Sequence, residues 1–541
     1  MTQDTPAFFT LDRGTVATTA ALIAPVDGRY RLLASAAAPV ELDSESVLED
    51  LAWRVARTDA TVAGSMEGWR DWSRLEVHTG RAPRIVLVAA SADIGELLER
   101  PFVASGWQVA ARFFGSEPSL VGLGDACLDP AVDAVVVGGR EDVEDSERGA
   151  AHRLWSRAAS LARFRDDLAV IAAGPFAERP EGIPDSRLFS LPAPDRVPAV
   201  SESLLRQAAG QVGRHLAERG RPVPTDARVA LRTAIVSLAA VLGATVEGVE
   251  IGVAAGSRTV AATQGEQWHA VVAAAGLYPP ALLDDDESGD AALRWCTLTG
   301  GDPAVRLDGL RDLALHPWSG VDPEGVRLHM TAVRAALERL EDVWHGAEAE
   351  GAEARAGHVT VLSGGGFAAL PPAASALAVI DGIRRPGAMS MMHDHAGVLA
   401  PLGALPVEAD RQRLLGDLLS DALLPLGSAV VTGAIESGRK DRGAPTMSVA
   451  SALGDQRLRL EPGRLQLVDL PPGIGARLGI DPGEGAVLGV EGRTLTMEVS
   501  GGLGGLYVDT RPIPLDLPAS GETRRATLEA WEAPVWAGTD R

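Results

Sequence analysis

The chain has 541 residues, 46% hydrophobic and 23% charged, too long for a single core and apolar enough for two to four packed domains. A formal net charge of −23 excludes nucleic acid and anionic membrane surfaces as partners, because both are held by clustered cations. Lys440 is the only lysine, and it follows Arg439 rather than glycine, so no Walker A loop exists and Schiff-base chemistry has one candidate in a polar run.

Taken in chain order, short apolar runs predict strands at 8–11, 19–23, 30–34, 84–89, 134–137, 168–172, 249–253 and 359–362. Their near-continuous apolar character suits strands covered on both faces. Ser46-Val-Leu-Glu49 is a capping-box pattern opening a helix to about Arg57. The apolar window 234–246 is too short to span a bilayer and predicts a buried helix. Val326, Met330, Val333, Leu337, Leu340 and Trp344 step by three or four, one apolar stripe on a long helix. Alternating strands and helices predict an α/β protein. The stretch 219–224 separates two similar halves, and 347–357 reads as a surface linker or helix end. After Gly427, short strands alternate with turns such as Glu461-Pro-Gly463, which predicts a small β-rich region.

Two loops point to phosphate and nucleoside chemistry. Asp12-Arg13-Gly14-Thr15 follows the first strand and precedes a second, a hairpin whose turn can wrap a phosphate. Gly14 admits close backbone approach, successive amides with the Thr15 and Thr18 hydroxyls can donate to phosphate oxygens, and Asp12 can hold Mg²⁺ through water. The same pattern also serves as a plain hairpin turn. Far downstream, the strand at 359–362 runs into Ser363-Gly364-Gly365-Gly366, a loop on which a ring or ribose can rest, or a flexible turn.

On these residues the chain resembles the glutamate mutase accessory proteins, members of the actin/hexokinase/Hsp70-like ATPase superfamily. The segment from Asp12 to Leu22 is similar to the family's Asp-x-Gly-Ser-Thr-Thr-Thr-Lys-Ala-Ala-Leu opening. Val135-Val-Val-Gly138-Gly139 and the turn ending at Gly174 resemble its glycine turns. Gly289-Asp290 with Arg294 resembles its Gly-Asp-Leu-Gly-Met-Arg segment, and Ser363 to Gly366 its Gly-Ser-Gly-Gly loop. The run from Asp394 to Leu405 is similar to Asp-Pro-x-Gly-Leu-Leu-Pro-Ala-Leu-Gly-Ala-Leu, and Gly501 to Arg511 to the family's closing Gly-Gly-x-x-Gly-Leu-x-x-Asp-x-Arg. The resemblance implies a two-lobed actin-like, ribonuclease H-like α/β fold, with lobes at 1–215 and 216–425 and a β-rich C-terminal domain at 427–541. It implies ATP or ADP with Mg²⁺ in the cleft and a protein partner, an adenosylcobalamin-dependent mutase.

Departures from the family carry equal weight. Thr19 stands where the family has lysine. Its second phosphate loop, Asp-Val-Gly-Gly-Ala-Thr-Thr-Asp-Val, aligns with Gly252 to Val260, so that Gly252 and Thr259 replace the acids and Ala254 and Ala255 the paired glycines, followed by Ser257 and Arg258. Phosphoryl transfer needs acids to hold metal or orient water. The expectation is a pseudo-ATPase that binds a protein partner and a nucleotide without efficient hydrolysis. A nucleotide-free scaffold, self-assembled or within an envelope or division complex, is one alternative, and an active ATPase chaperone is another.

The remaining patterns carry less. His393-Asp394-His395 resembles a metal pair but offers no third ligand, and reads better as a polar turn. Gly473-Ile-Gly475 imitates a dinucleotide loop without a βαβ unit. The acids at 284–287 read as a solvated loop. Cys127 and Cys296 form neither a CxxC pair nor a disulfide framework, which with no leader-like start predicts a cytoplasmic protein.

Overall fold

The computed structural model describes residues 7–58, 68–79, 83–104, 107–115, 120–140, 142–176, 182–194, 205, 209, 212, 225–262, 268–279, 282, 291–298, 302–317, 319–347, 358–432, 445–481 and 495–536. Strands β1 (Phe8–Arg13), β2 (Ala17–Val26) and β3 (Arg29–Pro39) form an antiparallel trio. Helix α1 (Ser44–Thr58) follows, then β4 (Arg74–His78), parallel to β1. Alternation along the strands sends Phe9, Leu11, Ala20 and Leu22 onto Val47, Leu48, Leu51 and Val55 of α1. Phe8, Ala21 and Ile23 face the other way.

The chain then leaves this sheet for another. It runs through β5 (Arg84–Ala89), α2 (Ala92–Ala104), β6 (Gln108–Phe114), α3 (Leu120–Leu128), β7 (Ala134–Gly138), α4 (Asp145–Ala162), β8 (Ala169–Ala173) and β9 (Leu188–Leu191). All five strands are parallel, in the order β6-β5-β7-β8-β9. Their unbroken apolar runs follow from helices on both faces: α2 covers one, α3 and α4 the other. This doubly wound unit is an insertion, because β10 (Thr225–Asp226) returns to the first sheet beside β4. The expected first lobe, 1–215, therefore holds two sheets.

Helix α5 (Ala227–Leu242) starts at Asp226, whose side chain accepts the amides of Arg228 and Val229. A second antiparallel trio follows, β11 (Val246–Ile251), β12 (Ala255–Ala262) and β13 (Trp268–Ala275). After α6 (Pro303–Leu315) and α7 (Pro323–Ala347) come β14 (His358–Ser363), parallel to β11, the short α8 (Gly365–Ala368), α9 (Pro372–Gly382) and β15 (Gly387–Asp394), parallel to β14. The order β13-β12-β11-β14-β15 repeats β3-β2-β1-β4-β10 strand for strand. Three antiparallel strands followed by two parallel ones, twice, make a two-lobed, ribonuclease H-like α/β fold of the actin-like type.

Helices α10 (Leu399–Gly403) and α11 (Glu408–Ala422) lie with α5 between the lobes. There Leu402, Leu414 and Leu418 meet Leu231, Ile235 and Leu238, with Phe8 and Ile23 of the first sheet. Helix α10 crosses α5 so closely that a Cβ on Gly403 would sit 1.9 Å from the Ala230 carbonyl oxygen. Gly403→Ala is therefore expected to lower stability by about 1–3 kcal/mol or more, the usual range for overpacking. A urea midpoint equal to wild type would show that the crossing is looser than it looks.

The β-rich stretch after Gly427 divides between two sheets. It comprises β16 (Leu423–Val431), antiparallel to β15, then β17 (Thr446–Ser451), β18 (Gly454–Arg459), β19 (Leu465–Val468), β20 (Gly475–Asp481), β21 (Leu495–Ser500) and β22 (Leu506–Asp509), and ends in α12 (Gly521–Trp536). β22 pairs with β16, and β19 with β22, extending the second lobe's sheet to eight strands. The sheet β18-β17-β20-β21 packs onto it through Met447, Val449 and Leu478 against Val430, Leu506 and Val508. Among the described residues, no helix is long and apolar enough to cross a membrane.

Candidate functional site: an acid-lined cleft between two hairpin turns

The two lobes present matching turns. In the first, the Gly14 amide donates to the Ala17 carbonyl at 2.7 Å; in the second, the Gly252 amide donates to the Ala255 carbonyl at 2.9 Å. A Cβ on Gly14 would lie 2.9 Å from the Ala17 oxygen, and one on Gly252 3.0 Å from the Ala255 oxygen. Gly14 and Gly252 are thus equivalent positions. Two residues earlier stand Asp12, opposite Thr19, and Glu250, opposite Ser257.

This register corrects the alignment drawn from sequence. With the strand read as 249–253, Gly252 fell at an acid's position; the strand actually ends at Ile251 and its acid is Glu250. Ser257, Arg258 and Thr259 belong to strand β12, not to a loop. Alternation puts Ser257 beside Glu250, where its hydroxyl donates to Oε2 at 2.8 Å, and sends Arg258 to the opposite face. There Arg258 is fully buried, bonded through Nε to Glu247 at 2.6 Å, with its guanidinium 4.2 Å from the Trp344 ring centre. It has no route to a phosphate. Ala254 completes the turn and Ala255 opens β12.

Carboxyl ends of parallel strands are where such sheets bind ligands, and here both lobes bring acids to them. In the second lobe Glu250 pairs in register with Ser363, whose hydroxyl donates to Asp394 at 3.4 Å. Asp394 also accepts the amides of Val398 at 3.0 Å and Leu399 at 3.1 Å, fixing the turn into α10. In the first lobe the Thr79 hydroxyl donates to Asp12 at 3.2 Å. Burial, then the negative charges of Glu250, Asp394 and Asp226, push the Asp12 carboxyl up to about 7 against the pull of Thr79. Burial raises Asp394 to about 6, despite its amide and hydroxyl donors. Burial likewise raises Glu250, with Ser257 and Arg228 opposing. Asp12 therefore feels the charge of three other carboxylates, and Glu250 that of Asp226.

The predicted nucleotide residues divide. Asp12 and Gly14 stand at the cleft, and Thr15 is exposed at the turn. Thr18 is buried and does not join them, because strand alternation places Thr19, not Thr18, beside Asp12. Thr19, in the family's lysine position, meets the second lobe: a Cβ on Gly397 would come within 2.9 Å of its methyl group. Ser363 closes β14, and Gly364 takes φ +92° and packs on the Ile251 carbonyl. A Cβ on Gly365 would meet open space, whereas one on Gly366 would strike Ile251. Gly289, Asp290, Lys440 and the acids at 284–287 lie outside the described residues. Cys127 and Cys296 are buried free thiols.

Sequence reasoning missed Glu250, Asp226 and Arg228. Arg228 sits on the first turn of α5, bonded to Asp226 at 3.2 Å and close enough to Glu250 to lower its pKa. Its Nη1 is shielded from solvent and has no hydrogen-bond partner. An orphaned guanidinium nitrogen is costly, and a phosphate oxygen is an acceptor well suited to its N–H donors. Asp12 feels the charge of Asp226 and Glu250, and a Cβ on Gly365 would meet no atom within 4 Å. These residues fit a magnesium nucleotide. Among the described residues no three His, Cys, Asp or Glu side chains cluster as a ready-made metal site, so a cation would be held largely through water and phosphate, as Mg²⁺ commonly is.

No protein-family model and no curated protein matches the chain. Among solved structures, it is similar to component A of the (R)-2-hydroxyglutaryl-CoA dehydratase of Acidaminococcus fermentans, at 10% identity, over 74% of this chain and 96% of that one, with a TM-score of 0.23. It is also similar to a nucleotide-free acetone carboxylase of ATP-dependent acetone carboxylation, at 11% identity, over 99% of this chain and 85% of that one, with a TM-score of 0.28. The fold assignment stands on the repeated strand order and register.

Proposed function

We propose that the protein is a nucleotide-dependent clamp of the glutamate mutase accessory type, which binds ATP or ADP with Mg²⁺ between its lobes and acts on a protein partner. The observation that carries this reading is the buried, unpartnered Nη1 of Arg228, beside Asp226 and near Glu250, two of the acids whose charge Asp12 feels. Four acids and one arginine repel a bare triphosphate. A divalent cation reverses that balance, so binding depends on Mg²⁺. Asp12 holds the ion through water, Arg228 and the exposed turn at Thr15 hold phosphate, and the Gly364–Gly366 loop receives the nucleoside. A ligand that touches both lobes selects their closed arrangement, which alters the surface offered to a partner.

Turnover is slow in this reading, because no lysine stands at the first phosphate turn and charge stabilisation dominates phosphoryl transfer. A second reading, ATP hydrolysis in support of an adenosylcobalamin mutase, is favoured by Glu250 occupying the acid position that had looked vacant. Titration calorimetry with ATP separates the outcomes. Binding heat with Mg²⁺, lost on adding EDTA and lost in Asp12→Asn, is expected. A flat titration would leave a nucleotide-free scaffold. Phosphate release above a blank, abolished in Asp12→Asn, would select the ATPase, and a pull-down that never recovers a cobalamin enzyme would remove the mutase.

A further inference from the structure

We infer that Tyr278 and His329 form a strut that sets the spacing between the two ligand-facing loops of the second lobe, and so act as positioning residues for a ligand that spans both. The inference rests on the nucleotide reading above.

The first loop is the hairpin turn at 252–254. Every residue of that turn is tied to the segment after β13: the Leu277 amide donates to the Gly252 carbonyl at 3.0 Å, the Tyr278 amide to Val253 at 3.2 Å, and the Gly276 amide to Ala254 at 3.1 Å. The backbones are so close that a Cβ on Gly276 would lie 2.3 Å from the Gly252 oxygen. The backbone of Tyr278 therefore moves with the phosphate turn.

The second loop is the triple glycine. His329, on α7 and 4% exposed, places Nε2 3.0 Å from the Gly366 carbonyl oxygen. Its Nδ1 lies 3.1 Å from the Tyr278 hydroxyl. These contacts fix the tautomer. A carbonyl only accepts, so Nε2 carries the proton; Nδ1 of the neutral ring then accepts from the Tyr278 O–H. Burial keeps both members neutral, lowering His329 and raising Tyr278 away from their ordinary ranges. The result is a directed chain, Tyr278 O–H to Nδ1 and Nε2–H to the Gly366 carbonyl, linking one loop's backbone to the other's. Both side chains are buried, and cutting the chain at His329 leaves the Gly366 carbonyl buried without a donor.

The test compares a ligand that needs both loops with one that needs only the phosphate sites. Calorimetry with magnesium ATP and with magnesium tripolyphosphate would be run on wild type, His329→Leu, His329→Gln and Tyr278→Phe. Loss of the buried donor in His329→Leu is expected to weaken ATP by roughly tenfold, while tripolyphosphate stays within about twofold. His329→Gln, which keeps a donor for Gly366, restores most of the loss, and Tyr278→Phe falls between. Unliganded His329→Leu should also exchange the amides at 364–367 at least about tenfold faster than wild type. Unchanged ATP affinity, or equal weakening of both ligands, overturns the strut. If wild type binds neither ligand, the nucleotide reading fails, and the exchange rates judge the strut alone: unaltered protection at 364–367 overturns it.

Discussion

Replacing Arg511 with alanine is expected to cost about 3–5 kcal/mol, because it leaves buried carboxylates without their counter-charge. Arg511 is fully buried. Its Nη2 lies 2.7 Å from Asp381 and 2.6 Å from Asp509, and its guanidinium rests 4.7 Å from the Trp531 ring centre. Arg384 holds the far side of Asp509 at 2.5 Å, Arg334 reaches Asp381 at 2.6 Å, and Arg334 also pairs with Glu532. Three arginines thus balance three acids, drawn from α7, α9, β22, α12 and the segments after α9 and β22. The network fastens the last helix to the second lobe, and removing one cation strands a negative charge inside it. Burial alone would raise Asp509, but Arg511 and Arg384 outweigh it and hold the carboxyl below its ordinary range. That contribution is complete above pH ~4 and is lost as pH falls through the lowered value. The measurement is a urea titration followed by the fluorescence of Trp531 and its neighbours, taken on the first transition, since a chain with several cores need not unfold in two states. Arg477→Ala, which removes an exposed pair with Glu498 at 3.5 Å, should shift the same midpoint by no more than about 1 kcal/mol. Equal shifts for the two variants would show that the buried network contributes nothing special.

The Asp-x-Arg close of the chain was legible in sequence as part of a family resemblance, but its role was not. Asp509 and Arg511 are two residues apart on one strand end, yet their partners Asp381, Arg384 and Arg334 lie far back in the sequence. The strands at 84–89, 134–137 and 168–172 were readable for a local reason: a strand covered on both faces is an unbroken apolar run. Nothing local announced that these strands leave the first lobe's sheet, because insertion is decided by where β10 pairs, and β10 is only two residues long. Arg258 shows the opposite failure. It fitted a phosphate loop in linear spacing, but reading β11 on to 253 instead of Ile251 hid the start of β12, whose alternation buries it against Trp344. The same error hid Glu250. Asp12 and the triple glycine were legible because turns and close approaches demand particular residues; Arg228 was not, because a helix's first turn says nothing about the cleft it borders.

Glu250→Gln is expected to uncouple nucleotide binding from magnesium. Burial already raises the Glu250 carboxyl above its ordinary range and so favours its neutral form, and a neutral amide of the same shape can still accept the Ser257 hydroxyl through its oxygen. Folding should therefore survive, as thermal unfolding would show. The bound state differs. A carboxylate roughly 6 Å from a divalent ion contributes about 5 kcal/mol at an effective dielectric of ~20, before intervening water screens it. If even a third of that persists, the ratio of ATP affinity with Mg²⁺ to affinity with EDTA falls by more than about tenfold, since each ~1.4 kcal/mol is a factor of ten. Affinity in EDTA should hold or rise, because one acid no longer opposes the phosphates. The corresponding change in the first lobe, Asp12→Asn, should act in the same direction, given the matched turns at Gly14 and Gly252. A control at Thr259, the residue that linear alignment had placed at an acid position, should alter neither ratio, because Thr259 is buried in β12 opposite Gly248. If Thr259→Val uncouples magnesium and Glu250→Gln does not, the second turn is read in the wrong register and the acid cleft loses its second wall.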